Sequence, residues 1–186
     1  DEYDWVVFTC PGPQTLSLMP EITALRASAT TLQYQPCWAL MLSFKDTLDA
    51  PLDAFKSDHP VIAWAARDSS KPGREPGERW VLHAQPNWSH EHLETSLDTI
   101  NQLLIDAFQA ILKQPISPTI ASTHRWLYAL SKKPDTRPTW IDEAAQLAIC
   151  GDGTEGPRLE SAWLSGSKMA EKLIDLFTAN SSTQND

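Results

Sequence analysis

The chain has 186 residues, 41% of them hydrophobic, and its 15 basic and 24 acidic side chains give a formal net charge of −9. That length can bury one respectable core, so one domain is the first expectation and two small ones the alternative. The acidic balance argues against non-specific nucleic-acid binding, which needs clustered cations, and no apolar run approaches the ~20 residues of a bilayer span, so a cytoplasmic protein with no membrane partner is expected.

Residues 5–10 form a short apolar run closed by Pro11, Gly12 and Pro13, which reads as a buried strand followed by a turn. Residues 14–29 can hold a helix that Pro20 breaks or begins. Residues 36–44 and 61–66 read as strands, with 45–60 a polar loop between them. Two Pro-Gly steps within 69–78 make a hairpin-type connection to a returning strand at 79–84. Over 89–113, Leu93, Leu97, Ile100, Leu104, Ala107, Phe108 and Ile111 recur every three or four residues, the mark of an amphipathic helix. Ser89 with His92 offers it a partial cap, and Pro115 ends it. Residues 116–129 read as a strand carrying aromatics, and 131–139 as a Pro-rich loop. A buried strand at 147–150 then runs into the Gly151-Asp152-Gly153 turn and a helix. The final helix, 159–177, is expected to carry Leu159, Trp163, Met169, Leu173 and Leu176 or Phe177 broadly on one side. Residues 180–186 are a polar tail, expected to be disordered. The sum is an α/β or α+β fold, a mixed sheet with flanking helices.

Several residue types bear on chemistry. Cys10, Cys37 and Cys150 are odd in number, widely spaced and close to apolar strands, so they read as buried free thiols in a reducing compartment. His90 and His92, with Glu91 and Glu94 nearby, lack a third ligand and read as surface residues; no metal site is expected. His83 reads as a satisfied core histidine. No Gly-x-Ser-x-Gly elbow occurs, which argues against a serine hydrolase. Arg67, Lys71, Arg74 and Arg79 form a basic cluster, either a solvated loop or a contact for substrate or phosphate. By the residues alone, Asp152 reads as an Asx-turn or capping residue and Glu160 as a helix cap. A strand, tight turn and helix in succession also direct backbone N–H groups at whatever lies above the turn, which suits a phosphate or an electron-rich ring. Most of the 8 tryptophans should be core, with some left for an exposed face or an active-site wall.

The stretch Leu147-Ala-Ile-Cys-Gly-Asp152-Gly, followed by Pro157-Arg-Leu-Glu-Ser-Ala-Trp-Leu-Ser-Gly-Ser-Lys-Met-Ala170, resembles the C-terminal flavin motif of FAD-dependent amine-oxidase-like oxidoreductases, most closely their renalase-like bacterial branch. Val6-Val-Phe-Thr-Cys-Pro-Gly-Pro-Gln14, Pro36-Cys-Trp-Ala-Leu40, the segment from Val61 to Arg74, Arg79-Trp-Val-Leu-His-Ala84 and His124-Arg-Trp-Leu-Tyr-Ala129 fall in the matching order. The N-terminal Gly-x-Gly-x-x-Gly turn of that family occurs nowhere among this chain's 7 glycines. The resemblance therefore implies the C-terminal half of a two-domain FAD/NAD(P)-binding flavoprotein, and the early apolar strand suggests a cut domain. It implies that residues 1–179 are the substrate-binding domain, with an FAD-contacting strand and helix over 147–178.

The implied partners are an N-terminal FAD-binding half and a small-molecule substrate. FAD belongs to the intact protein and is not expected to stay on this chain alone. The implied cofactor residues are Gly151, Asp152 and Gly153, with Asp152 accepting from ribityl hydroxyls, and Glu160, Ser161 and Ala162 at the final helix start. Ser161 departs from the glycine usual there. Arg67, Asp68, His124 and Trp126 are the implied substrate residues, and strand alternation places His124 and Trp126 on one side with Arg125 on the other. No catalytic residue is assigned. The implied reaction passes a hydride from a reduced nitrogen heterocycle or amine to flavin. Removal of the other half would leave an exposed apolar face, with self-association through it. The alternative is a cofactor-free binding or interaction domain with no activity by itself.

Overall fold

The computed structural model describes residues 2–134 and 138–183. Its elements run β1 (Val6–Phe8), α1 (Gly12–Leu18), α2 (Leu25–Ala29), β2 (Gln33–Phe44), β3 (Ala54–Lys56), β4 (Ile62–Arg67), β5 (Glu78–Ala84), α3 (Pro86–Glu91), α4 (Leu97–Leu112), β6 (Ile120–Lys132), β7 (Ile141–Asp142), β8 (Leu147–Ile149), α5 (Asp152–Glu155) and α6 (Leu159–Thr183). The chain forms two units, one from residues up to Tyr34 and from Leu130 onward, the other from Gln35–Ala129.

The first unit is built on a three-stranded sheet of order β1-β8-β7. β1 and β8 are parallel, Val6 opposite Leu147 and Phe8 opposite Ile149, while β7 runs antiparallel to β8. Parallel strands need cover on both faces. On one face Phe8, Leu147 and Ile149 pack with Met19, Leu25, Ala29 and Leu32. On the other, Ile141 and Ala148 pack with Met169 of α6, flanked by Trp5, Leu173 and Leu176. Helical structure within 14–29 is split because the residue before a proline is driven out of the helical region: Met19, ahead of Pro20, has ψ 141°. Asp142 then holds the next helix start, accepting from Thr23 Oγ1 at 2.6 Å and Ala24 N at 3.1 Å.

α6 departs from its expected facing. Ser165 and Met169 are buried, and Leu173 and Leu176 pack beside them, but Leu159 and Trp163 are 89% and 68% exposed. At 100° per residue these two line up with Ala170 and Ile174 rather than with Met169. The helix also continues through Thr183, past the expected start of the tail; residues 184–186, and 135–137 of the expected loop, lie outside the described residues.

The second unit is a five-stranded sheet of order β3-β4-β5-β2-β6, covered on one face by α4. Trp38, Leu40, Leu42, Trp80, Leu82 and Ile62 meet Ile100, Leu104 and Phe108 there, and burying each such side chain is worth about 1.5–3 kcal/mol. β3 falls in the stretch read as loop; it is three residues long and has no alternation to signal it. The helix expected over 89–113 is two helices. The His92 carbonyl, which would continue a single helix, instead accepts from Trp38 Nε1 at 3.2 Å and Thr95 N at 3.1 Å. Ser96, with extended backbone, becomes the new N-cap, its Oγ accepting from Thr99 N at 3.3 Å. Among the described residues no helix is long and apolar enough to cross a membrane.

Candidate functional site

In the first unit the carboxyl ends of β1 and β8 lie side by side, tied by Cys150 N donating to Phe8 O at 3.0 Å. Each strand leads through a turn into a helix, the arrangement in which open α/β sheets place their ligands. The β8 turn depends on Gly151, whose φ of 134° is one that side chains rarely adopt. Its N–H donates to Ser165 Oγ at 3.0 Å, and its carbonyl accepts from Thr154 Oγ1 at 2.9 Å. Ser165 and Thr154 are 2.7 Å apart and buried, so the turn is held to α6 by two hydroxyls. Glu155 adds an ion pair to Lys168 at 2.8 Å.

Asp152 opens α5, and among the described residues no hydrogen-bond donor or cation meets its carboxylate. Gly153 lies directly under Tyr34: a Cβ there would sit 2.3 Å from the Tyr34 hydroxyl. Burial first, and then the charge of Asp152, push the Tyr34 hydroxyl up to about 12, so it stays protonated beside the carboxylate. Tyr34 and Gly12 complete this corner and were absent from the sequence reading. Gly12 has a detectable reason, since a Cβ would meet Leu32 Cβ at 2.7 Å, but nothing in the sequence brings Tyr34 to residue 153.

The helix that begins at this turn is the four-residue α5, not the long final helix. Glu160, Ser161 and Ala162 stand in the first turn of α6, after Gly156, Pro157 and Arg158. Ala162 N already donates to Arg158 O at 3.2 Å, so its N–H belongs to the helix and does not serve as an outward donor. Leu159, Glu160 and Ser161 are left as the open-ended first-turn positions.

The second unit carries the residues read as substrate contacts, on two different sides of its sheet. His124 and Trp126 share the face opposite α4, with ring centroids 4.2 Å apart, and Trp126 is 55% exposed. Arg125 points the other way: its guanidinium lies 5.8 Å from the Trp38 ring and donates to Leu93 O. The open face also holds Met41, Val81 and His83, with His83 packed on Trp64 at 5.0 Å. His83 is thus a surface-facing residue rather than a core one, and partial burial followed by the Lys71 charge lowers its pKa and keeps the ring neutral near pH 7.

Arg67 and Asp68 are not part of that face. Arg67 lies on the α4 side over the Trp80 ring, bonded to Asp53 at 2.9 Å and Leu48 O at 3.0 Å, with Nε 3.2 Å from the buried Glu78. Glu78 in turn accepts from Trp80 Nε1 at 2.6 Å. Asp68 holds Lys71 at 2.7 Å and Arg74 at 3.5 Å, and the Lys71 hydrogen bond keeps its carboxyl below the usual range. Arg79 donates to Glu75 O and Pro76 O. Arg67 thus ties the end of β4 to the segment before β3, while Lys71, Arg74 and Arg79 fasten the connection between β4 and β5.

No protein-family model matches the chain. It is similar to renalase from Mus musculus, 26% identical over 140 residues, covering 69% of this chain and 41% of that protein. In fold it is similar to a crystal structure described as a protoporphyrinogen oxidase from Exiguobacterium sp. 255-15, with TM-score 0.70 at 17% identity over 91% of this chain and 41% of that one. A second neighbour is the crystal structure of reduced UDP-galactopyranose mutase, with TM-score 0.57 at 13% identity over 83% of this chain and 37% of that one. The chain spans less than half the length of each of these relatives.

Proposed function

We propose that this chain is the C-terminal portion of a FAD-dependent oxidoreductase that takes a hydride from a reduced nitrogen heterocycle or an amine. All three relatives are flavoproteins, and this chain's mixed α/β fold is similar to that of the two solved ones. The observation that carries the reading is Asp152: a carboxylate without a donor or cation among the described residues, at the joint carboxyl end of two parallel strands, on a turn whose φ at Gly151 side chains rarely adopt. Such a carboxylate fits the hydroxyls of a ribityl chain.

Bound FAD supplies the two-electron acceptor that no side chain here provides. Asp152 holds cofactor hydroxyls, and the first-turn N–H groups of Glu160 and Ser161 favour negative charge near the start of α6. His124 and Trp126 give a planar substrate ring a stacking wall, with the Trp64 and His83 pair on the same sheet face. Arg67 and Asp68 support this wall by holding the loop behind it, not by touching substrate. An N-terminal half bearing the Gly-x-Gly-x-x-Gly turn completes the cofactor site.

The test is co-expression of this chain with such a half, followed by measurement of FAD per complex and of dihydronicotinamide and amine oxidation. The reading expects a yellow complex with activity on at least one substrate class. A colourless complex would leave a cofactor-free interaction domain as the better account.

A further inference from the structure

We infer that the first unit holds a binding cleft for a small aromatic acid, on the α6 face of its sheet, and that the bound acid steadies the Gly151 turn. A cleft of about 310 Å³ is lined there by residues 138–141, by Ile149 and by side chains of α5 and α6. All of these belong to the same unit. Small-molecule sites span roughly 300–1,000 Å³, so a cleft at the low end suits one or two fused rings rather than a nucleotide.

The lining sets the class of ligand. Ile141 and Met169 give the cleft a buried apolar floor, and the half-buried Trp140 adds an indole suited to a planar ring. On the solvent side stand Lys168 and Lys172, four residues apart on α6 and therefore on one side of it. Like charges at that spacing repel. Among the described residues Glu155 answers Lys168 at 2.8 Å, and no carboxylate pairs with Lys172. In a chain of net charge −9, this cleft thus carries two cations against one carboxylate. The Lys168 side chain is 63% exposed, so its ion pair is weak and yields to a competing anion. A neutral ligand would gain only the floor, and an inorganic anion only the lysines.

The link to the turn comes from two further lining residues, Thr154 and Ser165. These are the hydroxyls that hold Gly151, Ser165 Oγ accepting from its N–H at 3.0 Å and Thr154 Oγ1 donating to its carbonyl at 2.9 Å. A ligand packed against this pair binds the state in which the pair is closed, and so favours that state by mass action. The cleft needs no flavin, so its failure and the failure of the flavin reading are separate results.

The experiment titrates this chain calorimetrically with naphthoate, with naphthalenemethanol as the neutral probe and inorganic phosphate as the anion without a ring. The inference expects one naphthoate per chain with Kd below about 1 mM, naphthalenemethanol at least tenfold weaker, and no competition from phosphate. Lys172→Gln should weaken naphthoate at least fivefold, whereas Glu155→Gln should tighten it by freeing Lys168; circular dichroism checks that both variants remain folded. Saturating naphthoate should also slow amide hydrogen exchange at Gly151 at least threefold. The site is overturned by the absence of saturable binding, by naphthalenemethanol or phosphate binding as tightly as naphthoate, or by an affinity that neither variant changes. Binding that leaves Gly151 exchange unaltered overturns the link to the turn.

Discussion

Gly153 and Tyr34 show how closely the candidate cofactor corner is packed. Gly153→Ala places a methyl group 2.3 Å from the Tyr34 hydroxyl, and overpacking of this kind costs about 1–3 kcal/mol. Urea unfolding should show that loss, and Tyr34→Phe in the same chain should recover part of it; an unchanged midpoint in Gly153→Ala would contradict the packing described. Cys37 makes a separate prediction. Burial pushes its thiol from 9.0 to about 11, so the unfolded chain gives up this proton first. The stability it contributes is present below pH 9.0 and lost as pH rises through about 11. Cys37→Ala should flatten that part of the alkaline stability profile, and an identical slope in both proteins would count against it. Sequence reading placed this cysteine near a strand correctly, because short apolar runs in this chain are strands. It missed Tyr34 because a contact with residue 153 is made by folding and leaves no local mark.

At the level of elements, caps explain where periodicity misled. The apolar spacing from 89 to 113 is compatible with one helix, yet Trp38 takes the His92 carbonyl and Ser96 caps a new start. Ser96→Ala should therefore destabilise the protein by about 0.5–2 kcal/mol, read from the thermal midpoint, and an unchanged midpoint would count against the new N-cap. Ser89, the expected cap, is instead buried, accepting from Trp38 N at 3.1 Å. α6 teaches the complementary lesson. Its residues are apolar on more than one side, and sequence alone cannot say which side the sheet takes. Met169 is inside because Ile141 and Ala148 lie beneath it, which leaves Trp163 in solvent. The alternation of β6 needed no such knowledge: period two sets His124 and Trp126 opposite Arg125 whatever packs against them.

Across the whole molecule, two units contribute different things. One offers a glycine turn whose Asp152 carboxylate meets no donor or cation among the described residues, and the other a sheet face lined with indole and imidazole rings. The strand–turn–helix was legible because Gly151 and Asp152 sit at the end of an apolar run, while the ion pairs of Arg67 and Asp68 were not, because their partners Asp53, Lys71 and Arg74 are chosen by folding. In the completed protein, Arg67→Ala should lower stability by leaving Glu78 buried without its cation, while changing KM little. Trp126→Ala should raise KM at nearly unchanged stability; a Trp126 variant with wild-type KM would remove that residue from the substrate wall. The most direct test of the flavin assignment is the FAD affinity of the co-expressed complex with and without the Asp152 carboxylate. Asp152→Ala should weaken FAD binding at least tenfold while the complex stays assembled, and equal FAD binding by both complexes would contradict the assignment.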